Sequence, residues 1–118
     1  MDGKAAFIYS PGFLDYRFHE NHPFNPLRLK ITVDLLREAG ILTDNDIVEP
    51  RLASDEELML VHTPDYLQAV CRAGSGVSGA EDLYKYELGS EDVPVFEGMH
   101  WASCLTVGGT LTAAELVM

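Results

Sequence analysis

Two adjacent carboxylates are the residues of this chain best placed to bind a ligand. Glu91 and Asp92 lie in the segment LGSEDVPVFEG at residues 88–98. Because Pro94 disfavours a helical conformation at the preceding residue, this segment is predicted to be a loop. Adjacent loop residues point in different directions, so a pair of carboxylates sharing one proton is not expected. One of them could instead accept hydrogen bonds from two backbone N–H groups of an extended peptide.

Two histidines have a spacing that suits a metal site only on a helix. His19 and His22 are three residues apart, which would let two helical imidazoles share a metal ion. Pro23 and Pro26 place them in a loop, which favours ring hydrogen bonds within the loop over metal ligation. The remaining histidines are expected to be structural: His62 and His100.

Arg28 is a cation in an unfavourable place. It lies in the predicted first turn of a helix, where the positive end of the helix dipole opposes it. It also shares a mostly apolar stripe with Thr32, Leu35 and Ala39. Two interpretations are open: a half-buried guanidinium with an anionic or carbonyl partner, or a side chain that reaches the surface.

Charge and composition exclude several classes of function. The 118 residues include 8 basic and 19 acidic side chains, for a formal net charge of −11. Nucleic acids and anionic membranes need a basic face, so neither is an expected partner. Between residues 81 and 97 six acids accompany one base, Lys85. This run predicts either a solvated acidic loop or an electrostatic funnel for a cation such as a lysine-rich peptide or a polyamine.

Length, composition and cysteine spacing indicate the number of domains and the cellular compartment. A chain of this length with 47% hydrophobic residues is expected to form one packed domain. Cys71 and Cys104 form no CxxC pair, which favours reduced, partly buried thiols. The N-terminus lacks a signal-peptide layout, and no apolar stretch is long enough to span a bilayer. A cytoplasmic location is therefore expected. No GxSxG, GxGxxG or GxxxxGK[ST] pattern occurs.

Alternating strands and helices are predicted to position these residues. Short strands are expected at residues 5–9 and 47–49, and a loop with aromatic side chains at 13–26. The helix starts are Asn25-Pro26, Ser54 in a capping box with Glu57, and Thr63-Pro64. A flexible link follows at residues 74–79, and then the acidic loop.

A long buried helix is predicted from about residue 96 onward. Gly108-Gly109 in its middle would let another backbone come close. Strands that alternate with helices indicate an α/β fold with a parallel sheet. Two or three strands are too few for a closed doubly wound domain, so residues 1–118 are expected to be the N-terminal part of a single larger domain.

Several motifs, in order, resemble those of the histone deacetylase superfamily, in particular its bacterial acetoin utilization proteins. They are FIYSPGF at 7–13, HPFNPLR at 22–28, EELMLVHTPDYLQAV at 56–70 and GSEDVPVFEG at 89–98, followed by the glycine pair. The resemblance covers nearly the whole chain. It implies the N-terminal portion of a three-layer α/β/α arginase/deacetylase-like domain. Members use zinc, or sometimes iron, to hydrolyse acetyl-lysine or acetylpolyamine amides.

The resemblance also implies roles for four residues. Asp92 matches the rim aspartate that binds backbone N–H groups flanking the acetyl-lysine, and Glu91 adds to the acidic rim. Arg28 matches an arginine of the internal channel for acetate release, and Tyr9 an aromatic residue of the same region. The family's metal ligands and catalytic tyrosine match nothing in this sequence. The chain is therefore either truncated or a degenerate relative of the family, and the segment alone is expected to bind no metal and to be inactive.

The sequence is compatible with three functions. The first is the N-terminal segment of a zinc-dependent deacetylase. The second is a non-catalytic acidic module that binds cationic peptides through residues 81–97. The third is an enzyme of the related arginase-type fold, which the HPFNP and PVFEG elements fit less well. A segment with few strands would leave sheet edges and apolar faces uncovered, so self-association is expected if it is made alone.

Overall fold

The computed structural model describes residues 5–18, 21–76 and 79–118. Strand β1 (Phe7–Ile8) pairs in parallel with strand β2 (Ile47–Val48), with Phe7 opposite Ile47 and Ile8 opposite Val48. The parallel pairing agrees with the predicted α/β class. Both strands are shorter than predicted; a 3₁₀ turn (Pro11–Asp15) follows β1, and another (Asp44–Asp46) precedes β2.

Helices are the main regular structure of the described chain. Five α-helices follow one another along it: α1 (Leu27–Glu38), α2 (Asp55–Leu58), α3 (Pro64–Gly74), α4 (Ala80–Lys85) and α5 (Met99–Val117). None of the helices in the described ranges is long and apolar enough to cross a membrane.

Capping chemistry explains where three of the helices begin. At α2, Ser54 Oγ accepts a hydrogen bond from Glu57 N at 3.2 Å, and Glu57 Oε1 accepts one from Ser54 N at 2.9 Å. Thr63 caps α3 in the same way through its hydroxyl. Helix α1 begins at Leu27 with Pro26 as its N-cap, one residue later than the predicted Asn25-Pro26 start, although Asn25 Oδ1 accepts from Leu27 N at 2.9 Å. These side chains satisfy N–H groups that have no partner inside the helix, and at α2 and α3 they do so as the sequence predicts.

The core lies mainly where α3 packs against α5. Two clusters of buried side chains fill it: Val70, Ala73, Leu88 and Met99 in one, and Ala53, Leu58 and Cys104 in the other. Leu29, Val33 and Leu36 are spaced four and three residues apart, which predicts a shared apolar face of α1. This face turns inward, with Val33 buried and Leu29 and Leu36 half-buried. Its opposite face leaves Ile31 and Leu35 exposed.

The backbone segment before α2 crosses α5 in direct contact. A methyl group added at Gly108 would overlap the carbonyl oxygen of Arg51. Beside this point, Arg51 N donates to Thr112 Oγ1 at 3.1 Å. At the neighbouring Gly109 the nearest group is instead the ring of Phe13, 2.9 Å from the position of an added methyl. The prediction that the glycine pair admits another backbone is therefore confirmed at Gly108.

The Arg51 side chain joins this crossing to two helices. Its guanidinium lies 2.7 Å from Glu57 of α2 and 2.6 Å from Glu115 of α5. The hydrogen bonds from Arg51 and then Ser54 lower the pKa of Glu57 from 4.5 to about 2. The charged form of Glu57 is therefore the form that the folded state stabilises.

Replacing Glu57 with glutamine should lower the melting temperature at neutral pH. A carboxyl whose pKa is lowered by folding stabilises the folded state above its unfolded pKa and loses that effect as pH falls through its folded pKa. The difference in Tm from the parent protein should therefore be constant above pH 4.5 and shrink between pH 4.5 and about 2. Thermal melts across this range provide the measurement.

The control for this change is an exposed pair. Arg37 contacts Asp44 at 3.1 Å, and the Asp44 side chain is 90% exposed. Asp44→Asn should change Tm little at any pH, because exposed ion pairs contribute little. A Glu57→Gln difference that is as large at pH 2 as at pH 7 would show that the charge is not responsible.

Three details differ from the sequence predictions. Helix α4 occupies part of the predicted acidic loop, and Arg72 of α3 contacts Asp82 of α4 at 2.8 Å. Cys71 is exposed rather than partly buried, whereas Cys104 is buried. The sequence also predicts that the short helix after Ser54 uses Leu58 and Val61 as its apolar residues, but Val61 lies beyond the end of α2 and is exposed. The link predicted over residues 74–79 includes residues 77 and 78, which are outside the described chain.

Candidate functional site

A cleft of about 970 Å³ brings together three of the four residues singled out from the sequence. Tyr9 follows β1, Arg28 lies in the first turn of α1, and Asp92 lies in the loop before α5. All three line the cleft, although they are distant in sequence. Glu91, the fourth, is exposed and is not among the lining residues. The walls are mostly apolar and include residues of α1 and α5: Leu29, Val33, Val107, Gly109 and Ala113.

The surroundings of Tyr9 and Arg28 are set by aromatic rings. The ring of Tyr9 meets that of Phe13 edge to face, with centroids 6.2 Å apart. Arg28 is exposed, and its guanidinium carbon lies 5.1 Å from the centre of the Phe24 ring. Of the two interpretations of Arg28, the described chain supports the one in which the side chain reaches the surface. The π electrons of the Phe24 ring stabilise the positive charge of this guanidinium.

An aromatic cluster connects residues 16–18 and 21–24 with the loop at residues 88–98. Ring centroids of Tyr16 and Phe96 are 5.3 Å apart, and those of Phe18 and Phe96 are 5.6 Å apart, both edge to face. Phe24 completes the cluster at 5.7 Å from Tyr16. Such contacts add to the hydrophobic gain of burying the rings. The cluster therefore holds the Asp92 loop against the segment that precedes α1.

The Asp92 loop has a tight backbone geometry of its own. Gly89 adopts a left-handed conformation with φ of 82°, which glycine adopts without strain. Gly89 N donates to Val93 O at 2.8 Å, and Val93 N donates to Ser90 Oγ at 3.0 Å. The predicted loop is therefore confirmed, and its tip is closed by its own hydrogen bonds. Within the described residues, the Asp92 carboxylate makes no hydrogen bond or ion pair.

His22 connects the two loops by a hydrogen bond. Its Nδ1 accepts from Phe24 N at 3.0 Å, so the ring proton lies on Nε2. Nε2 in turn donates to the backbone oxygen of Asp92 at 3.3 Å. The expected ring hydrogen bonds are thus confirmed for His22, while His19 lies outside the described residues. The contact with Asp92 spans 70 positions, and no local pattern could have indicated it.

Among the described residues, His62, His100 and the two cysteines form no second centre. His100 Nε2 lies 3.5 Å from Cys104 Sγ and 3.7 Å from Asp55 Oδ1. Burial raises the pKa of the Cys104 thiol, which disfavours the thiolate that a nucleophile or metal ligand requires. Across the described ranges, no group of three or more His, Cys, Asp or Glu side chains is arranged to hold a metal ion.

Comparison with solved structures defines the class of protein. A crystal structure of a histone deacetylase (HDAC) homologue complexed with SAHA matches with a TM-score of 0.84 and 27% identity, over 95% of this chain and 30% of that one. The HDAC homologue from Aquifex aeolicus matches with a TM-score of 0.84 and 26% identity. The fold is therefore the arginase/deacetylase-like α/β fold, of which this chain covers the N-terminal portion.

Sequence comparison identifies the family. The profile described as "Histone deacetylase domain" matches residues 22–118, and the chain belongs to this family. Acetoin utilization protein AcuC of Bacillus subtilis is 58% identical over 97% of this chain, and that of Staphylococcus xylosus is 42% identical over all of it. The chain spans 30% and 31% of the length of these relatives. The resemblance read from the sequence motifs is thereby confirmed.

Proposed function

We propose that this chain is the N-terminal part of a zinc-dependent deacetylase that hydrolyses acetyl-lysine or acetylpolyamine amides. The observation that carries the proposal is the convergence of Tyr9, Arg28 and Asp92 on one cleft in a chain of the histone deacetylase family. Chance placement would not be expected to bring together residues that the family resemblance singles out in three separate motifs.

Each residue has a physical role in this proposal. Asp92 is exposed and lines the cleft with its carboxylate available, and a carboxylate binds backbone N–H groups strongly. Glu91 adds negative charge outside the cleft and would attract a cationic substrate without contacting it. Arg28 and Tyr9 line the cleft itself, where a guanidinium would stabilise the acetate that the reaction releases.

The metal chemistry lies outside the described residues. Zinc would polarise the acyl carbonyl and activate a water molecule in the complete enzyme. The described residues provide no suitable group of ligands. We assign the ligands and the catalytic acid and base to the rest of the complete enzyme, and the isolated segment is proposed to be inactive.

The proposed partners of the complete enzyme are an acetylated lysine or polyamine in the cytoplasm. The exposed Ile31 and Leu35 of α1 would favour self-association of the segment made alone.

The test begins with the intact mass of the native protein and continues with its activity. The mass should far exceed the 13.0 kDa of this chain, and the added sequence should contain paired histidines and an Asp-x-His motif. The complete protein should release acetate from an acetyl-lysine peptide, lose this activity with a chelator and regain it with Zn²⁺. A native mass of 13.0 kDa would rule out the proposal.

The acidic binding module is the second candidate, and exposed Glu91 and Asp92 favour it. Asp82, another acid of that region, is already paired with Arg72, which reduces the charge available to a partner. A module of this kind would bind lysine-rich peptides in a salt-sensitive way. Its affinity would not depend on acetylation, whereas a deacetylase would turn over only the acetylated peptide.

A further inference from the structure

We propose that His22 is a positioning residue that sets the direction of the Asp92 carboxylate. The inference rests on the proposed function, in which Asp92 binds the substrate backbone. It adds a residue to which the family resemblance gives no role.

The peptide unit between Asp92 and Val93 is held at both edges. Its carbonyl oxygen accepts from His22 Nε2 at 3.3 Å, and its N–H group donates to Ser90 Oγ at 3.0 Å. Because a peptide unit is planar, bonds to its oxygen and its nitrogen fix the orientation of the whole plane. The Cα of Asp92 belongs to this plane. Fixing the plane therefore restricts the direction in which the Asp92 side chain leaves the loop.

The imidazole that makes this bond is itself held in place. Phe24 N donates to His22 Nδ1 at 3.0 Å, which fixes the proton on Nε2 and directs that atom away from its own turn. The ring of Phe18 lies 4.5 Å from the imidazole, centroid to centroid. His22 therefore fixes the position of the Asp92 loop relative to the segment before α1.

Two substitutions separate the local bond of His22 from its bond across the loops. An asparagine oxygen occupies the place of Nδ1 and can accept from Phe24 N, but its amide is too short to reach Asp92 O. A glutamine amide reaches the place of Nε2 and can donate to Asp92 O. His22→Asn therefore removes the contact with Asp92 and keeps the local turn, and His22→Gln keeps the contact with Asp92.

Steady-state kinetics of the complete enzyme test the role in binding. His22→Asn should raise KM for an acetyl-lysine peptide about five-fold with kcat within about two-fold, as for the loss of one orienting hydrogen bond. His22→Gln should restore KM to within about two-fold of the parent value. His62→Asn, which changes an exposed histidine outside the cleft, is the matched control and should behave as the parent.

A double-mutant cycle tests whether His22 acts through Asp92. In an Asp92→Ala background, His22→Asn should produce no further change in kcat/KM, because no carboxylate remains to be oriented. The same fold-loss from His22→Asn in both backgrounds would overturn the proposal, since His22 would then act by another route.

Hydrogen exchange of residues 88–98 separates this proposal from the proposed function. Exchange in this loop should be faster in His22→Asn and unchanged in His22→Gln, whether or not the protein is active. Unchanged exchange in His22→Asn would overturn the role of His22 even in an active enzyme. The complete protein could also show the expected exchange pattern but hydrolyse no acetyl amide. That result would overturn the proposed function and support the contact between His22 and Asp92.

Discussion

Replacing Asp92 with alanine in the complete enzyme should lower kcat/KM for an acetyl-lysine peptide about 100-fold, as for the loss of a charge-assisted contact to backbone N–H groups. Replacing Glu91 with alanine should lower it less than about three-fold, since an exposed charge acts only at a distance. The difference follows from position, because Asp92 lines the cleft and Glu91 does not. Steady-state kinetics with both variants give the comparison.

The Asp92 prediction carries its own controls. Asp92→Asn preserves the shape of the side chain and removes its charge, so it should retain part of the activity lost in the alanine variant. Circular dichroism would establish that both variants are folded. Equal losses from Asp92→Ala and Glu91→Ala, both diminishing at high salt, would show that the loop attracts cations without gripping the substrate.

Replacing Gly108 with alanine should destabilise the protein by more than about 3 kcal/mol, because the added methyl meets backbone rather than a movable side chain. The group in its way is the Arg51 carbonyl, which is tied to α5 by the bond from Arg51 N to Thr112 Oγ1. Neither side can move without separating the segment from α5. The expected result is a large fall in Tm or a loss of soluble protein.

Gly109→Ala is the matched comparison for this effect. An added methyl there meets the end of the Phe13 side chain, which can rotate. Helix propensity alone favours alanine over glycine by about 1 kcal/mol at both positions, so it predicts stabilisation in both variants. We expect Gly109→Ala to melt near the parent Tm and Gly108→Ala to melt well below it. This difference would assign the loss of stability to the contact between Gly108 and the Arg51 carbonyl. Similar Tm values for the two variants would contradict that assignment.

The parts of the fold that could be predicted from the sequence are those governed by near neighbours. The cap of α2 needs only Ser54 and Glu57, three residues apart, and the start of α3 needs only Thr63 and its neighbours. The close approach at Gly108 was predictable for a related reason. Glycine destabilises the middle of a helix, so a pair there indicates a close contact with another segment. The sequence does not indicate that this segment contains Arg51.

Helix α4 could not be predicted, because the contacts that support it lie outside its own six residues. Glu81 and Asp82 follow a glycine-rich link, and the local pattern therefore indicates a loop. In the structure, Asp82 pairs with Arg72 at 2.8 Å and Leu83 packs against the cluster that contains Leu88. These tertiary contacts compensate for a short helix that would be unstable by itself.

Only the site residues that lie in a family motif could be predicted from the sequence. Asp92, Arg28 and Tyr9 were identified through resemblance, and spacing alone would not have placed them in one cleft. Arg28 also shows the limit of pattern reasoning. Its apolar stripe with Leu35 is compatible with a half-buried cation, yet both residues are exposed in the described chain. The contact between His22 and Asp92 depends on two loops folding against each other, which no single segment encodes.

The peptide fixed between Asp92 and Val93 has a thermodynamic consequence. An acidic tail that is disordered must become ordered when it captures a ligand, and that loss of conformational entropy weakens its affinity. The Asp92 backbone is ordered before a ligand arrives, through bonds to His22 and Ser90. Binding at this loop therefore forfeits little entropy, and the affinity gained through such preorganisation lengthens the lifetime of a complex more than it speeds its formation.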